Sequence, residues 1–441
     1  MIVLKFGGTS VGGPEPIRRL GEIVRARLSQ KPVVVVSAMS GVTNRLFRVA
    51  EFAVRGAGWK AELDGLAEHH RACSRDLSLD ANLLDPLFAE LEKLLQGIAL
   101  IRECTPRTQD YLVSFGERLS VRIVAAHLRR LGIDSTALDA FEAGLITNSN
   151  FGGARPLPDV DQRIHGVLSQ VGGVPVITGY IAKDEAGNIT TLGRGGSDYS
   201  ASIFGAALDA REIQIWTDVD GVMTADPRIV KGARFIPRMS FAEASELAFY
   251  GAKVLHPATM IPAVRKNIPI RVLNSFRPEF EGTTIVASLA GAERHVKSIA
   301  SKDKITVVNI IAPPMIFQFG FLERVASIFA KHQAVIDMVA TSEVSLAMTV
   351  DPGASLDRIR AELKEFAEVD VKTDMSLVSV VGEELKERTD VPALVFGVTS
   401  QLALNIELIS YGATRNNLSF VVRQDRVRDV VTALHSRLFE N

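Results

Sequence analysis

Three glycine-rich segments carry the side chains best suited to chemistry: KFGGTSV at Lys5 to Val11, TLGRGGSDYSA at Thr191 to Ala201 and WTDVDGVMTADPR at Trp216 to Arg228. Before the first, the apolar run Met1 to Leu4 predicts a buried strand, and periodicity from Pro14 through Leu28 predicts a helix after it. A glycine turn between strand and helix start makes an anion site. The N–H groups of Gly7, Gly8 and Thr9 meet an oxyanion with no Cβ in the way, and a helix N-terminus adds partial positive charge. Lys5 brings an ammonium to the same anion. One such turn alone also fits a tight connection, so the weight rests on all three segments.

The second segment repeats the plan. Strand-like residues Val174 to Tyr180 lead to Thr191, Gly193, Arg194, Gly195, Gly196, Ser197 and Asp198, ahead of an alanine-rich helix through Leu208. Ser197 or Asp198 suits the N-cap of that helix. Arg194 presents a planar fork for a carboxylate, and Asp198 complements an ammonium, a substrate's or a lysine's. In the third segment, Glu212 to Trp216 predicts a strand ending at Thr217 and Asp218, with a turn at Asp220 and Gly221. Ligands of open α/β sheets sit beyond the carboxyl ends of strands, where these polar residues fall. No GxxxxGK[ST] run occurs and no GxGxxG follows a strand, so P-loop and Rossmann sites lose support. Phosphoryl transfer with a lysine supplying charge is what these residues fit.

Taken with SFGERLS (Ser114 to Ser120) and FYGAKVLHPAT (Phe249 to Thr259), these segments resemble the aspartate kinases of the amino acid kinase family, in order along essentially the whole chain. TSEVS at Thr341 to Ser345 resembles the lysine-sensitive monofunctional type. The resemblance implies that Lys5 binds the transferring phosphoryl oxygens with Gly7, Gly8 and Ser10 nearby, and that Asp198 orients Lys5 and the substrate. It implies that Thr43, in the SAMSGVTN turn, and Ser197 help hold aspartate, that Glu117 meets its amino group and Arg194 its α-carboxylate. Thr217, Asp218, Arg228 and Lys253 match positions that contact ATP. Met223 departs from the family pattern, which has an aromatic after the DG turn, and puts nucleotide packing there in question. A substrate carboxylate is already an anionic nucleophile, so no general base is needed, and no catalytic histidine is evident. Catalysis then rests on alignment and on cations, including a magnesium ion held mainly by the phosphates, with no protein metal ligand named.

The elements that position these residues follow from length and periodicity. A chain of 441 residues predicts two or three domains. Strands alternating with helices to about Phe276 predict a three-layer αβα fold on a mostly parallel sheet, spanning residues 1–285. Residues 59–104 interrupt it as a helical insertion, in which His69 and His70 are expected to be solvated rather than metal-bound. Further on, strands are expected at Lys304 to Ile311, Val335 to Thr341, Leu346 to Asp351, Leu377 to Val381, Ile406 to Ser410 and Leu418 to Val422. Helices are expected at Phe321 to His332, Val391 to Gln401 and from Gln424. This pattern suggests two ferredoxin-like βαββαβ units, residues 297–371 and 372–441, similar to the paired ACT domains of the family. The resemblance places an effector pocket, for lysine first, at Met315, Gln318, Phe321, Leu322, Ile336, Asp337, Ser342 and Glu343. Gln318 stands where the comparison type has a small hydroxyl residue, so threonine or no effector is the alternative, and Phe321, Leu322 and Ile336 also fit plain core.

Hydrophobic content of 47%, mean hydropathy of +0.16 and 23% charged residues describe a globular chain. A formal net charge of −1 argues against nucleic acid as the main partner. Two cysteines, Cys73 and Cys104, form no disulfide framework or metal spacing, and buried or neutral thiols are expected. No basic leader precedes an apolar run, and none approaches the roughly 18 residues of a membrane span, so a cytoplasmic protein without membrane contact is expected. The family implies a homodimer or larger homo-oligomer through the ACT domains. Two other readings are a kinase of the same fold for another acid, which the Glu117 and Arg194 motifs oppose, and a non-catalytic amino acid sensor, which the intact Lys5, Arg194 and Asp198 oppose.

Overall fold

The computed structural model describes all residues except 250–254, 256, 290–295, 313–318, 352, 354, 413 and 441. The described chain divides into two compact units. The first takes Met1–Val222, Pro237–Phe241 and the described residues from 255 to 289; the second takes Met223–Ile236, residues 242–249 and the described residues from 296 onward.

In the first unit, strands and helices alternate as β1 (Ile2–Phe6), α1 (Pro14–Arg25), β2 (Pro32–Val36), α2 (Val42–Arg55), α3 (Trp59–Asp76), α4 (Asp85–Ile101), α5 (Pro106–Arg130) and β3 (Ser135–Leu138). There follow β4 (Ile146–Thr147), α6 (Val160–Leu168), β5 (Val174–Thr178), β6 (Ile181–Asp184), β7 (Ile189–Thr191), α7 (Gly196–Ala207) and β8 (Ile213–Thr217). The last elements are β9 (Arg238–Ser240), α8 (Phe241–Phe249), whose later residues fall in the second unit, α9 (Pro257–Arg265), β10 (Ile270–Asn274) and β11 (Thr283–Val286).

The main sheet has the order β3-β5-β2-β1-β8-β10-β11-β9, and its first six strands run parallel. Runs such as PVVVV of β2 are buried at every position, as a sheet covered on both faces requires. Alternation along β1 sorts the two faces. Ile2, Leu4 and Phe6 join one core with Ile17 of α1, Leu46 of α2 and Leu119 of α5, whereas Val3 lies on the face where Gly205 of α7 packs against Ile213. Parallel strands put the carboxyl ends of β1, β2, β5, β8 and β10 along one edge. The first and third glycine-rich segments open from that edge, and the second follows β7 of a small sheet β4-β6-β7 and is held beside it by Leu192 N–H, which donates to the Tyr180 carbonyl oxygen at 2.9 Å just past β5.

The helical insertion is present as α3 and α4, but His70 is fully buried, not solvated. Its Nδ1 lies 2.8 Å from the Leu66 carbonyl oxygen and its ring meets Phe88 edge-on. Burial pushes its pKa down to about 4, so it is a neutral core residue. The periodicity of α3 placed position 70 beside buried Leu63, Leu66 and Ala67, a signal that outweighs the polarity of the side chain. Burial pushes the Cys73 thiol up to about 11 and raises that of Cys104.

The second unit holds one antiparallel sheet, β13-β14-β12-β15-β17-β16. It is built from β12 (Val296–Ile311), α10 (Phe321–Lys331), β13 (Ile336–Thr341), β14 (Ser345–Val350), α11 (Leu356–Leu363), β15 (Glu368–Gly382), α12 (Asp390–Gln401), β16 (Leu408–Tyr411), β17 (Asn417–Arg423) and α13 (Val427–His435). β12 and β15 extend well before the strands expected at Lys304 and Leu377. Each serves two cores, one with Phe321, Val325 and Ile359, the other with Ile299, Val395 and Val431. The half containing α12 and α13 is therefore completed by residues 296–302, which precede the other half in sequence. Register shifts between Lys302 and Val307, with Lys304 and Asp374 at φ of 60° and 55°, mark where the long ribbon changes from one core to the other.

Candidate active site

Lys5 lies on β1 two residues after Val3, so its side chain projects from the same face, toward α7. Its ammonium meets Asp198 Oδ1 at 2.6 Å, with side chains only 10% and 17% exposed. Asp198 stands in the first turn of α7, where the helix end stabilises a carboxylate. The N-cap is Gly195, not Ser197 or Asp198 as the sequence suggested. Gly193 and Gly195 adopt φ of 78° and 70°, a conformation that needs glycine, and this backbone starts the helix early enough to carry Ser197 and Asp198 inside it. Arg194, between those glycines, is exposed and has no ion-pair partner among the described residues.

The turn after β1 differs in one detail from the anion cradle expected. Gly7 N–H continues the ladder to the Trp216 carbonyl oxygen at 3.0 Å and is already engaged. The 3-10 turn Gly8–Val11 starts directly after it, with the free N–H groups of a helix start at Gly8 and Thr9. Ser10 is fully buried, and its hydroxyl, 2.8 Å from Ser275 Oγ and donating to Trp216 O at 3.2 Å, ties the turn to the ends of β8 and β10. A Cβ on Gly8 would stand 3.1 Å from the Ala38 carbonyl oxygen, so this turn sits against the SAMSGVTN turn that follows β2.

Glu117 of α5 reaches the same turn. Its Oε1 accepts from Ala38 N–H at 3.1 Å, while Oε2 is buried without a partner among the described residues. Burial pushes its pKa up to about 8, against the lowering effect of the Ala38 donor. Gly116 permits the approach, since a Cβ there would lie 2.8 Å from Ala38 Cβ. Thr43 is half-buried in the first turn of α2, on the same SAMSGVTN segment. Ser197 packs on Gly179 at the end of β5, where a Cβ would lie 2.7 Å from its own.

At the end of β8, Thr217 donates to Asp218 at 3.1 Å, and the Thr217 carbonyl oxygen accepts from Ser275 N–H at 2.8 Å. Asp218 is exposed. Asp220 is held by Asn274 at 2.7 Å and Arg277 at 2.6 Å. Arg228 and Met223 belong to the second unit. There Arg228 is paired with Asp226, whose hydrogen bonds raise the guanidinium pKa, and Met223 bridges to Phe235 and accepts from Ser298 at its carbonyl oxygen. Lys253 lies outside the described residues.

Two residues the sequence did not single out join this group. Tyr180 follows β5 with φ of 65°, uncommon for a bulky side chain. Its ring stands 2.5 Å from where a Cβ on Gly196 would be. Asp110, on α5 seven residues before Glu117, is 4% exposed and accepts three hydrogen bonds, two of them from Thr191. A lone aspartate ahead of a motif carries no signal, and left-handed backbone at a tyrosine none either.

This edge joins a lysine and carboxylate pair, a buried carboxylate with a free oxygen and an unpaired guanidinium, the complement of a phosphate and an amino acid. Residues 1–274 match the amino acid kinase family and residues 378–438 an ACT domain. The chloroplastic aspartokinase 3 of Arabidopsis thaliana is 39% identical over 456 residues, covering 99% of this chain and 81% of that protein. The chain belongs to the aspartokinases of the amino acid kinase family. Its chemistry is that of an ATP-dependent phosphotransferase. Lysine-sensitive aspartokinase 3 of Escherichia coli K12 is 35% identical, covering 100% of this chain and 99% of that one. Of solved structures, E. coli aspartokinase III with aspartate and ADP (R-state) matches with a TM-score of 0.85 and its complex with lysine and aspartate (T-state) with 0.81, each at 34% identity. These cover all of this chain and 100% and 99% of those chains.

In this aspartokinase chain the expected effector residues divide. Phe321 is core, 6% exposed and edge-on to Phe366, while Leu322 is exposed. Ile336 is half-buried at the start of β13. The Asp337 side chain is 6% exposed and already faces an ammonium, that of Lys302 at 2.5 Å, which also meets Asp351 at 2.7 Å. Ser342 hydrogen-bonds Ser345, and Glu343 beside them is exposed. Met315 and Gln318 lie outside the described residues. Among the described residues no three His, Cys, Asp or Glu side chains gather as a metal cage. None of their helices is long and apolar enough to cross a membrane.

Proposed function

We propose that this chain transfers the γ-phosphoryl of ATP to the side-chain carboxylate of L-aspartate, giving 4-phospho-L-aspartate, the first step of a route to lysine, threonine and methionine, under inhibition by lysine. The observation that carries the substrate assignment is the free oxygen of buried Glu117 on the same site edge as unpaired Arg194. The first receives the substrate ammonium, the second its α-carboxylate, and the remaining carboxylate is left to attack. Lys5, aimed by Asp198, neutralises charge on the transferring phosphoryl, and Gly8 and Thr9 supply backbone donors. Thr43 and Ser197 complete the aspartate pocket. Gly7 and Ser10 shape the phosphate turn, and Thr217 and Asp218, with Arg228 and Lys253, serve the nucleotide.

Magnesium enters with the nucleotide. Held through phosphate oxygens and waters, it would need no protein cage and would offset triphosphate charge. Residues 1–285 form the catalytic domain and 297–371 and 372–441 two effector domains, through which the chain forms a homodimer or larger homo-oligomer. Lysine binds Met315, Gln318, Phe321, Leu322, Ile336, Asp337, Ser342 and Glu343, supported by the lysine named in the E. coli T-state complex. A cytoplasmic location completes the proposal, although the Arabidopsis relative is chloroplastic by name.

The test is ADP release from Mg-ATP with L-aspartate, L-glutamate or neither, each with and without lysine or threonine at millimolar concentration. Aspartate-dependent release suppressed by lysine is the expected result. Glutamate-dependent release would replace the substrate, and suppression by threonine alone would replace the effector.

A further inference from the structure

Helix α5 carries more of the substrate site than Glu117. Positions 110 and 117 share one face of the helix, two turns and about 10 Å apart. At the earlier position both oxygens of Asp110 are used. Oδ2 accepts from Thr191 N–H at 2.8 Å and from Gly152 N–H at 2.9 Å, and Oδ1 accepts from the Thr191 hydroxyl at 2.8 Å.

Thr191 is the last residue of β7, and the backbone turns at Gly193 to present Arg194. Gly152 belongs to the loop lying under that turn, where a Cβ on Gly193 would come 3.2 Å from the Gly152 carbonyl oxygen. Ala154 N–H joins the two layers again, donating to Thr191 O at 2.8 Å. One buried carboxylate thus fixes both the strand end that carries Arg194 and the loop beneath it. The roll of α5 is also fixed about a quarter-turn round the helix, because Arg118 holds Glu90 at 2.8 and 3.1 Å and Asp139 at 3.2 Å.

We infer that Asp110 is a positioning residue for substrate recognition, setting the span between the carboxylate that receives the aspartate ammonium and the guanidinium that receives its α-carboxylate. This rests on the roles proposed above for Glu117 and Arg194. No contact of Asp110 with substrate is involved, so its effect travels through Thr191 and the Gly193 turn to Arg194.

Asp110→Asn is close in shape but removes the charge that strengthens all three bonds, and keeps the third only if the Thr191 hydroxyl turns from donor to acceptor. The expected result is a rise of about tenfold or more in KM for aspartate, with KM for ATP within about twofold of the parent, since lost hydrogen bonds to a charged group are of that order. Acting through Arg194, the substitution should also lose its effect on kcat/KM when added to Arg194→Ala, whereas independent sites add. If Asp110→Asn does not fold, Thr191→Val, which removes one of the three bonds, should raise KM for aspartate about two- to fivefold in the same selective way.

Equal changes in both KM values, full additivity with Arg194→Ala, or no change would each overturn the inference. An active parent that uses aspartate while Asp110→Asn behaves normally defeats the positioning role alone. A parent without aspartate-dependent turnover defeats the substrate assignment and this inference with it.

Discussion

Aspartate binding should weaken as the pH falls below 8, because the free enzyme holds Glu117 protonated. The carboxyl is fully buried, one oxygen has no partner among the described residues, and its pKa is pushed up to about 8 from an ordinary 4.5. A substrate ammonium pairs only with the ionised form. At pH 6 that form is about 1% of the free enzyme and at pH 8 about half, so apparent affinity should fall about 50-fold between them.

The sign for stability is opposite to that of a surface ion pair. A raised carboxyl pKa favours the folded state at acid pH, fully below about 4.5, and that contribution is lost as pH rises through about 8. The free enzyme should therefore lose stability from this group between those values, while protection by aspartate grows over pH 6 to 8. Calorimetric titration in two buffers of different ionisation enthalpy reads the proton directly, and about 0.9 proton should leave per aspartate bound at pH 7. Glu117→Gln should bind weakly, with no pH dependence over this window. A flat KM for aspartate from pH 6 to 8 with no proton release would refute both the raised pKa and the ammonium role.

Other perturbations separate the remaining roles. Lys5→Ala should lower kcat by about 10²- to 10³-fold, with Lys5→Arg failing to restore it because a guanidinium does not reproduce a compact ammonium at this pair; near-normal turnover would remove Lys5 from the phosphoryl site. Glu343→Ala should raise the half-inhibitory lysine concentration at least about tenfold if it supplies one charge-assisted contact, and an unshifted inhibition curve would move the effector site elsewhere. His435 is fully buried between Thr224, 2.9 Å from Nε2, and Glu440, 3.2 Å from Nδ1. His435→Ala should cost the second unit about 2 to 4 kcal/mol, seen as a lower calorimetric midpoint, and an unchanged midpoint would show the contacts contribute nothing.

Much of the catalytic unit was legible because its signals are local. A strand followed by glycine and then a helix can be read from a dozen residues, and β1, α1, β5, β8 and α7 all stand where the sequence placed them to within a few residues, whereas the helix α5 that carries Glu117 was not foreseen. Lys5 and Asp198 meet because strand alternation and a helix start both point the same way, although the two are far apart in sequence. What stayed hidden depends on tertiary partners. Gly7 N–H is consumed by Trp216, Asp337 is matched by Lys302, and Asp110 acts through Thr191, and none of these pairs is near in sequence. In the second unit, β12 and β15 start well before the expected strands because their extra residues enter the other core, Ile299 the one closed by the later helices α12 and α13, and Val369 the one closed by the earlier helices α10 and α11. Local pattern gave the strands there but not their sharing between two cores.

The central claim is acyl-phosphate formation on aspartate, and hydroxylamine, which converts an acyl phosphate to a hydroxamate, tests it most directly. With Mg-ATP and L-aspartate the purified protein should form one aspartyl hydroxamate for each ADP released, and none without aspartate. ADP release without hydroxamate, or hydroxamate formation with another acid but not with aspartate, would contradict the account.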